Sequence, residues 1–236
     1  MSFPQRLSDG YQAFRSGRLP TEQSRYRDLA ERGQAPETMV VGCCDSRVAP
    51  EAIFDAGPGG RAAENAVRPL LGARQSSVFS VPSRAALAAA DYGEACRIAF
   101  ASSQPPRKVS KQLFMLAPKI REVDACLDAA GTGRVYEVHP EVAFWRLNGE
   151  RPLGEPKKVK GRCYDPGLAL RRGLLVAAGF AADLVNGAPP KGAGPDDLLD
   201  ALACAAIARR IHAGLARPFP DPPARDACGL PMAIWA

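Results

Sequence analysis

A thiolate two residues before a carboxylate, with an arginine two residues further on, forms half of a zinc site: the sulfur ligates, and the guanidinium keeps the acid ionised and aimed. Cys43, Asp45 and Arg47 have that spacing, within Gly42-Cys43-Cys44-Asp45-Ser46-Arg47-Val48. A second chemistry needs carboxylates that converge on one or two divalent ions, because metals both activate a water and neutralise the phosphate being cleaved. Glu137 sits inside the β-branched and aromatic run Val135-Tyr136-Glu137-Val138, and Asp200 alone interrupts the apolar residues 198–208. Burial of either acid is costly without a partner, which makes both candidate metal ligands. The competing reading pairs each with Arg121, Lys119 or another basic side chain. Asp197 is a third candidate, although an acid in a first helical turn is also satisfied by free backbone N–H groups and the dipole. His139, ahead of Pro140, is read as a structural cap, with assistance to the acids as the alternative. Lys157, Lys158, Lys160 and Arg162 suit phosphate contact, and the expected setting of that cluster is a solvated surface loop.

The elements that must hold these residues follow from periodicity and punctuation. Residues 38–43 form a short β-branched run ending in small residues, as a buried parallel strand does, and Pro50 opens a first helical turn at 50–54. Residues 11–32 are polar and weakly helical. An Ala-rich helix is expected over 85–100, followed by a loop at 102–107. Leu113, Leu116, Ile120, Val123 and Leu127 step by three and four, which predicts a helix over 110–130 with a kink or restart at Pro118. Residues 135–138 read as a strand, 168–185 as a helix, and Pro195-Asp196-Asp197 opens a last helix running to about 213. That helix is apolar nearly all round, so Asp200 should be enclosed by protein. The Pro- and Gly-rich stretches at 187–195 and 218–223 read as loops.

Composition narrows the classes. The 236 residues are 46% hydrophobic and 24% charged, which excludes a mainly disordered chain, a collagen or a coiled coil. The longest apolar candidate, 174–185, is too short to cross a bilayer and is interrupted by Gly179 and Asp183. The N-terminus has no apolar core after its charge, so no secretory signal is expected and the location expected is cytoplasmic. Seven scattered cysteines without a C-x-x-C argue for reduced thiols. A net charge of +6 is compatible with nucleic acid as a partner and is also ordinary for a soluble surface.

The motif at 42–48 resembles the C-x-D-S-R motif of β-class carbonic anhydrases, and Ala49-Pro50-Glu51 through Asp55-Ala56-Gly57-Pro58-Gly59 continues the resemblance. It implies that Cys43 binds zinc and that Asp45, partnered by Arg47, accepts the zinc-bound water or ligates the metal itself. The family completes its site with H-x-x-C. Here His139 and His212 are followed at that distance by Val142 and Leu215. One thiolate and one carboxylate do not fill a zinc shell, so the ligand count predicts a metal-free Cys43 and an Asp45–Arg47 pair.

From Gly60 onward the chain resembles a different family, bacterial proteins of formally unknown function described as predicted RNase H-like nucleases. The resemblance rests on Ala63-Glu64-Asn65-Ala66-Val67-Arg68, Arg74-Gln75-Ser76-Ser77-Val78-Phe79-Ser80-Val81-Pro82, Tyr136-Glu137-Val138-His139-Pro140-Glu141, Asp196-Asp197-Leu198-Leu199-Asp200-Ala201 and Gly229-Leu230-Pro231-Met232-Ala233-Ile234-Trp235. It implies metal-dependent phosphodiester hydrolysis, with Mg or Mn held by Glu137 and Asp200 and with Asp197 nearby. The family's first strand and its metal-binding Asp would lie upstream of Gly60. There this chain carries the anhydrase-like piece, with Asp45 the only acid at a strand end to stand in.

The expectation is therefore an α/β chain in two parts. Residues 1–59 form one β-α step of an anhydrase-like fold, and 60–236 an RNase H-like domain lacking its first strands, its small mixed sheet covered by helices and ragged at one edge. The function expected is a nuclease-like domain, weak or inactive for want of its first acidic ligands. The alternatives are a zinc lyase hydrating carbon dioxide and an inactive fusion or interaction protein without a cofactor.

Overall fold

A computed structural model describes residues 16–17, 20, 39–41, 62–79, 82–103, 105–126, 135–226 and 229–236. The chain divides into two units, Met1–Glu37 and Thr38–Ala236. Every element named here belongs to the second.

Its first strand, β1 (Met39–Val41), pairs in parallel with β2 (Val135–Glu137), with Met39 opposite Val135 and Val41 opposite Glu137. Between them come α1 (Ala62–Val67), a 3-10 segment (Arg68–Ser77), α2 (Arg84–Leu87), α3 (Tyr92–Ser102) and α4 (Lys111–Cys126). After β2 follow α5 (Pro140–Leu147), the hairpin β3 (Lys158–Val159) and β4 (Arg162–Cys163), α6 (Asp165–Ala177), α7 (Ala182–Val185) and α8 (Pro195–His212). The antiparallel pair β5 (Pro218–Arg225) and β6 (Pro231–Trp235) closes the chain. The fold is α/β in the coarse sense, helices around small strand pairs. The described strands form three separate pairs, one parallel and two antiparallel, where one small mixed sheet was expected.

Of four local departures from the sequence expectations, three have a local physical reason. The helix expected over 85–100 is two, because Ser83 and Asp91 each accept a backbone N–H, from Ala86 and Glu94, and so begin a new helix. The helix expected over 168–185 starts earlier, with Pro166 in the first turn of α6, and stops before Gly179, which takes a left-handed φ of 91°. Helix α4 continues through Pro118. Residues 218–223 are strand rather than loop. Proline donates nothing to a ladder, and the register of β5 against β6 is irregular between Phe219 and Ala224, which is how a proline-rich edge is accommodated.

Two apolar clusters hold these elements. The larger joins Val67, Leu71, Val142, Phe144, Leu168, Leu175, Leu199, Ile207 and Ile234. The smaller lies under α2, α3 and α4 and includes Leu87, Ala95, Leu113 and Ile120. Helix α8 packs on α5, α6 and β1, so its apolar faces are covered on several sides, as its composition requires. This packing carries Asp196 and Asp200 into the interior.

Candidate functional site

The carboxyl end of β2 delivers three polar residues in quick succession. Glu137 is the last strand residue and is 3% exposed. His139, wholly buried, caps α5: its Nδ1 accepts from the Glu141 N–H at 3.2 Å, and its Nε2 lies 3.2 Å from the Ser77 carbonyl. A carbonyl only accepts, so Nε2 carries the hydrogen and the imidazole is the neutral tautomer. Burial is the main cause of a His139 pKa lowered to about 4. Lys157 pushes the same way, while Glu141 and the Ser77 carbonyl oppose it.

Glu141, in the first turn of α5, meets Arg171 of α6 in a bidentate pair, Arg171 Nη2 donating to Oε1 at 2.7 Å and Oε2 at 2.9 Å. The other terminal nitrogen, Nη1, donates to the carbonyls of Glu155 (3.1 Å) and Gly167 (3.0 Å), so a guanidinium with no exposed surface retains most of its hydrogen bonds. Gly167 is required at this crossing: a Cβ there would sit 1.8 Å from the Pro156 carbonyl oxygen.

Beside this pair stand the acids of α8. Lys157 donates to Asp200 Oδ2 and lies 3.8 Å from Asp196, whose Oδ2 is 2.7 Å from Lys158 Nζ. Burial raises the Asp200 pKa to about 7 against the pull of Lys157, with Glu141 and Asp196 adding to the rise. Burial acts upward on Asp196 too, but Lys158 and Lys157 outweigh it and hold that carboxyl below its ordinary value. Asp197 faces elsewhere: its Oδ2 accepts the Gly194 N–H at 2.7 Å, closing the start of α8.

The sequence candidates are therefore placed as follows. Asp200 is enclosed and its partner is Lys157. Arg121, one of the partners considered for it, donates instead to the Leu87 carbonyl at 2.6 Å. Of the basic run, which straddles the β3–β4 hairpin, Lys158, Lys160 and Arg162 are exposed as expected, whereas Lys157 is buried. Cys43, Asp45 and Arg47 lie outside the described residues. Sequence reasoning missed Arg171 and Glu141 as site members. Arg171 carried a weaker signal than Asp200, because Arg172 beside it makes the stretch from Leu168 to Leu175 look like an ordinary amphipathic helix.

Whether the acids of α8 fit a divalent ion is decided by their neighbours. A lysine ammonium already lies on each of Asp196 and Asp200, in the position a cation would need. Among the described residues no three of His, Cys, Asp and Glu group to hold a metal ion. Lys157 and Lys158 therefore compete with any Mg or Mn ion for these two carboxylates. What the arrangement can do is bury a balanced set of charges and fix the start of three helices against one another.

No solved structure matches the chain significantly. The model of the family described as a protein of unknown function, DUF429, matches residues 26–225, well over half of the chain and including all the residues of this cluster. The chain belongs to the DUF429 family.

Proposed function

We propose that this chain is an RNase H-like domain of the phosphodiester-hydrolase type whose turnover is weak or lost, its acids having been taken over by lysine and arginine partners. One observation carries the reading: Lys157 sits on Asp200 where a second metal-holding carboxylate is needed. Its place supports the family of chemistry, since ligands of open parallel sheets bind beyond the carboxyl ends of the strands, and Glu137 ends β2 directly opposite the last residue of β1. Its partners argue against turnover, since an ion held by Glu137 alone among the described residues lacks the ligand count that hydrolysis needs.

The test is cleavage of end-labelled single-stranded and duplex RNA and DNA by purified full chain in Mg or Mn. Background-level cleavage in wild type, unchanged in Glu137→Gln, is the expected outcome. Metal-dependent turnover abolished by both Glu137→Gln and Asp200→Asn overturns the proposal and places the two acids in a working site.

A further inference from the structure

On the far side of α5 from its cap, two arginines share one carboxylate and a third stands near them. Arg146 donates to Glu150 Oε1, and Arg217 Nη2 donates to Glu150 Oε2 at 2.9 Å. Arg210, in the last turn of α8, donates from Nη2 to the Leu215 carbonyl at 2.8 Å and lies close enough that both it and Arg217 oppose the charge on Arg146. The Arg146 side chain is only 9% exposed. Its Nε and Nη2, and Nε of Arg210, are buried and donate to nothing among the described residues. The floor is aromatic. The Arg146 guanidinium lies 5.1 Å from the Trp145 ring, that of Arg217 lies 5.5 Å from Phe219, and the two rings meet edge-on with centroids 5.9 Å apart.

A cation in the last turn of α8 is explained by the helix dipole, which accounts for Arg210. The same holds for Arg146, in the last turn of α5, but not for Arg217, which precedes β5 and adds like charge to the same place. Two positive charges exceed what Glu150 can balance, and forked guanidinium donors without acceptors match the geometry of a tetrahedral oxyanion. We propose that Arg146, Arg210 and Arg217 form a binding site for a phosphate oxyanion, with Glu150 holding the ring together until the anion arrives. Arg217, about half exposed, is the side chain that turns to admit it. The site lies outside the acid cluster and does not rest on the hydrolase reading, since binding is measured without turnover.

The experiment is calorimetric titration of the full chain with inorganic phosphate at fixed ionic strength. Saturable binding at one site per chain is expected, weakened at least tenfold in Arg217→Gln and tightened severalfold in Glu150→Gln, which frees donors on two arginines. A merely structural Glu150 would give no tightening. A single-stranded DNA oligonucleotide that displaces phosphate identifies a nucleic-acid backbone as the source, and failure to displace identifies a free phosphate or phosphomonoester. Either result supports the site. Absence of saturable phosphate binding in wild type, or variants indistinguishable from it, overturns the proposal.

Discussion

His139 and Asp200 should drive the pH dependence of stability in opposite directions, and removing one should unmask the other. His139 has a folded value depressed from 6.5 to about 4, so the stability it confers is present above pH 6.5 and is lost as pH falls through about 4. At about 1.4 kcal/mol per pH unit that amounts to about 3 kcal/mol. Asp200 is raised from 3.8 to about 7, so its contribution is full below about pH 4 and is lost as pH rises through about 7, roughly 4 kcal/mol on the same conversion. In wild type the two nearly cancel across the window. The assay is urea denaturation from pH 4 to 7.5, read as the difference between variant and wild type so that other carboxylates drop out. For Asp200→Asn the difference should shift in the variant's favour by about 4 kcal/mol as pH rises from 4 to 7. For His139→Asn, which keeps a capping side chain, it should shift against the variant by about 3 kcal/mol over the same rise. Differences that stay flat within about 1 kcal/mol for both variants would refute the burial and pairing described for these two groups.

Three further outcomes follow from the same geometry. Arg171→Met leaves Glu141 buried and unpaired and should cost about 3–5 kcal/mol in urea unfolding, while Arg171→Met combined with Glu141→Leu should recover most of it. Gly167→Ala drives a Cβ against the Pro156 backbone and should destabilise by more than about 3 kcal/mol, read as a drop in melting temperature, whereas Gly173→Ala, with open space around its Cβ, should not. Metal analysis of purified protein should find well under one zinc per chain, with Cys43→Ser unchanged, because one thiolate and one carboxylate are too few ligands for a tetrahedral shell.

The parts of this fold legible in the sequence are those whose cause is local. Helices α4 and α8 follow from apolar spacing and from Pro195 with two acids in a first turn, and β2 follows from a β-branched run. The enclosure of Asp200 was equally legible, since an acid alone in an apolar helix has nowhere else to go. What the acid meets there was not. Lys157 is 43 residues away, and a basic cluster has the same composition whether it lies in solvent or reaches inward around a hairpin turn. Strand β5 was hidden for a related reason: proline content signals a turn locally, while pairing with β6 is a property of the distant partner. The 3-10 segment offers no periodicity at all, and Gly72 at φ 52° breaks it midway.

The charge inventory of the buried cluster bears on whether its acids can take a divalent ion. Glu141 and Asp196 are carboxylates held by Arg171 and by Lys158 with Lys157, and Asp200 adds a third carboxyl against Lys157, so three acids meet three bases. His139 is neutral in this setting and adds nothing to the balance. A divalent ion entering such a set leaves two uncompensated positive charges in a region of low polarity, a penalty that paired burial exists to avoid. The set accepts a dication only if two of its basic side chains withdraw. Arg171 is fixed by a bidentate carboxylate and two carbonyls, and Lys157 is buried on Asp200, which leaves Lys158, the most exposed of the three, as the single base able to leave without unfolding its surroundings. One departure is not enough, which supports the proposal that turnover at this strand end is weak or lost.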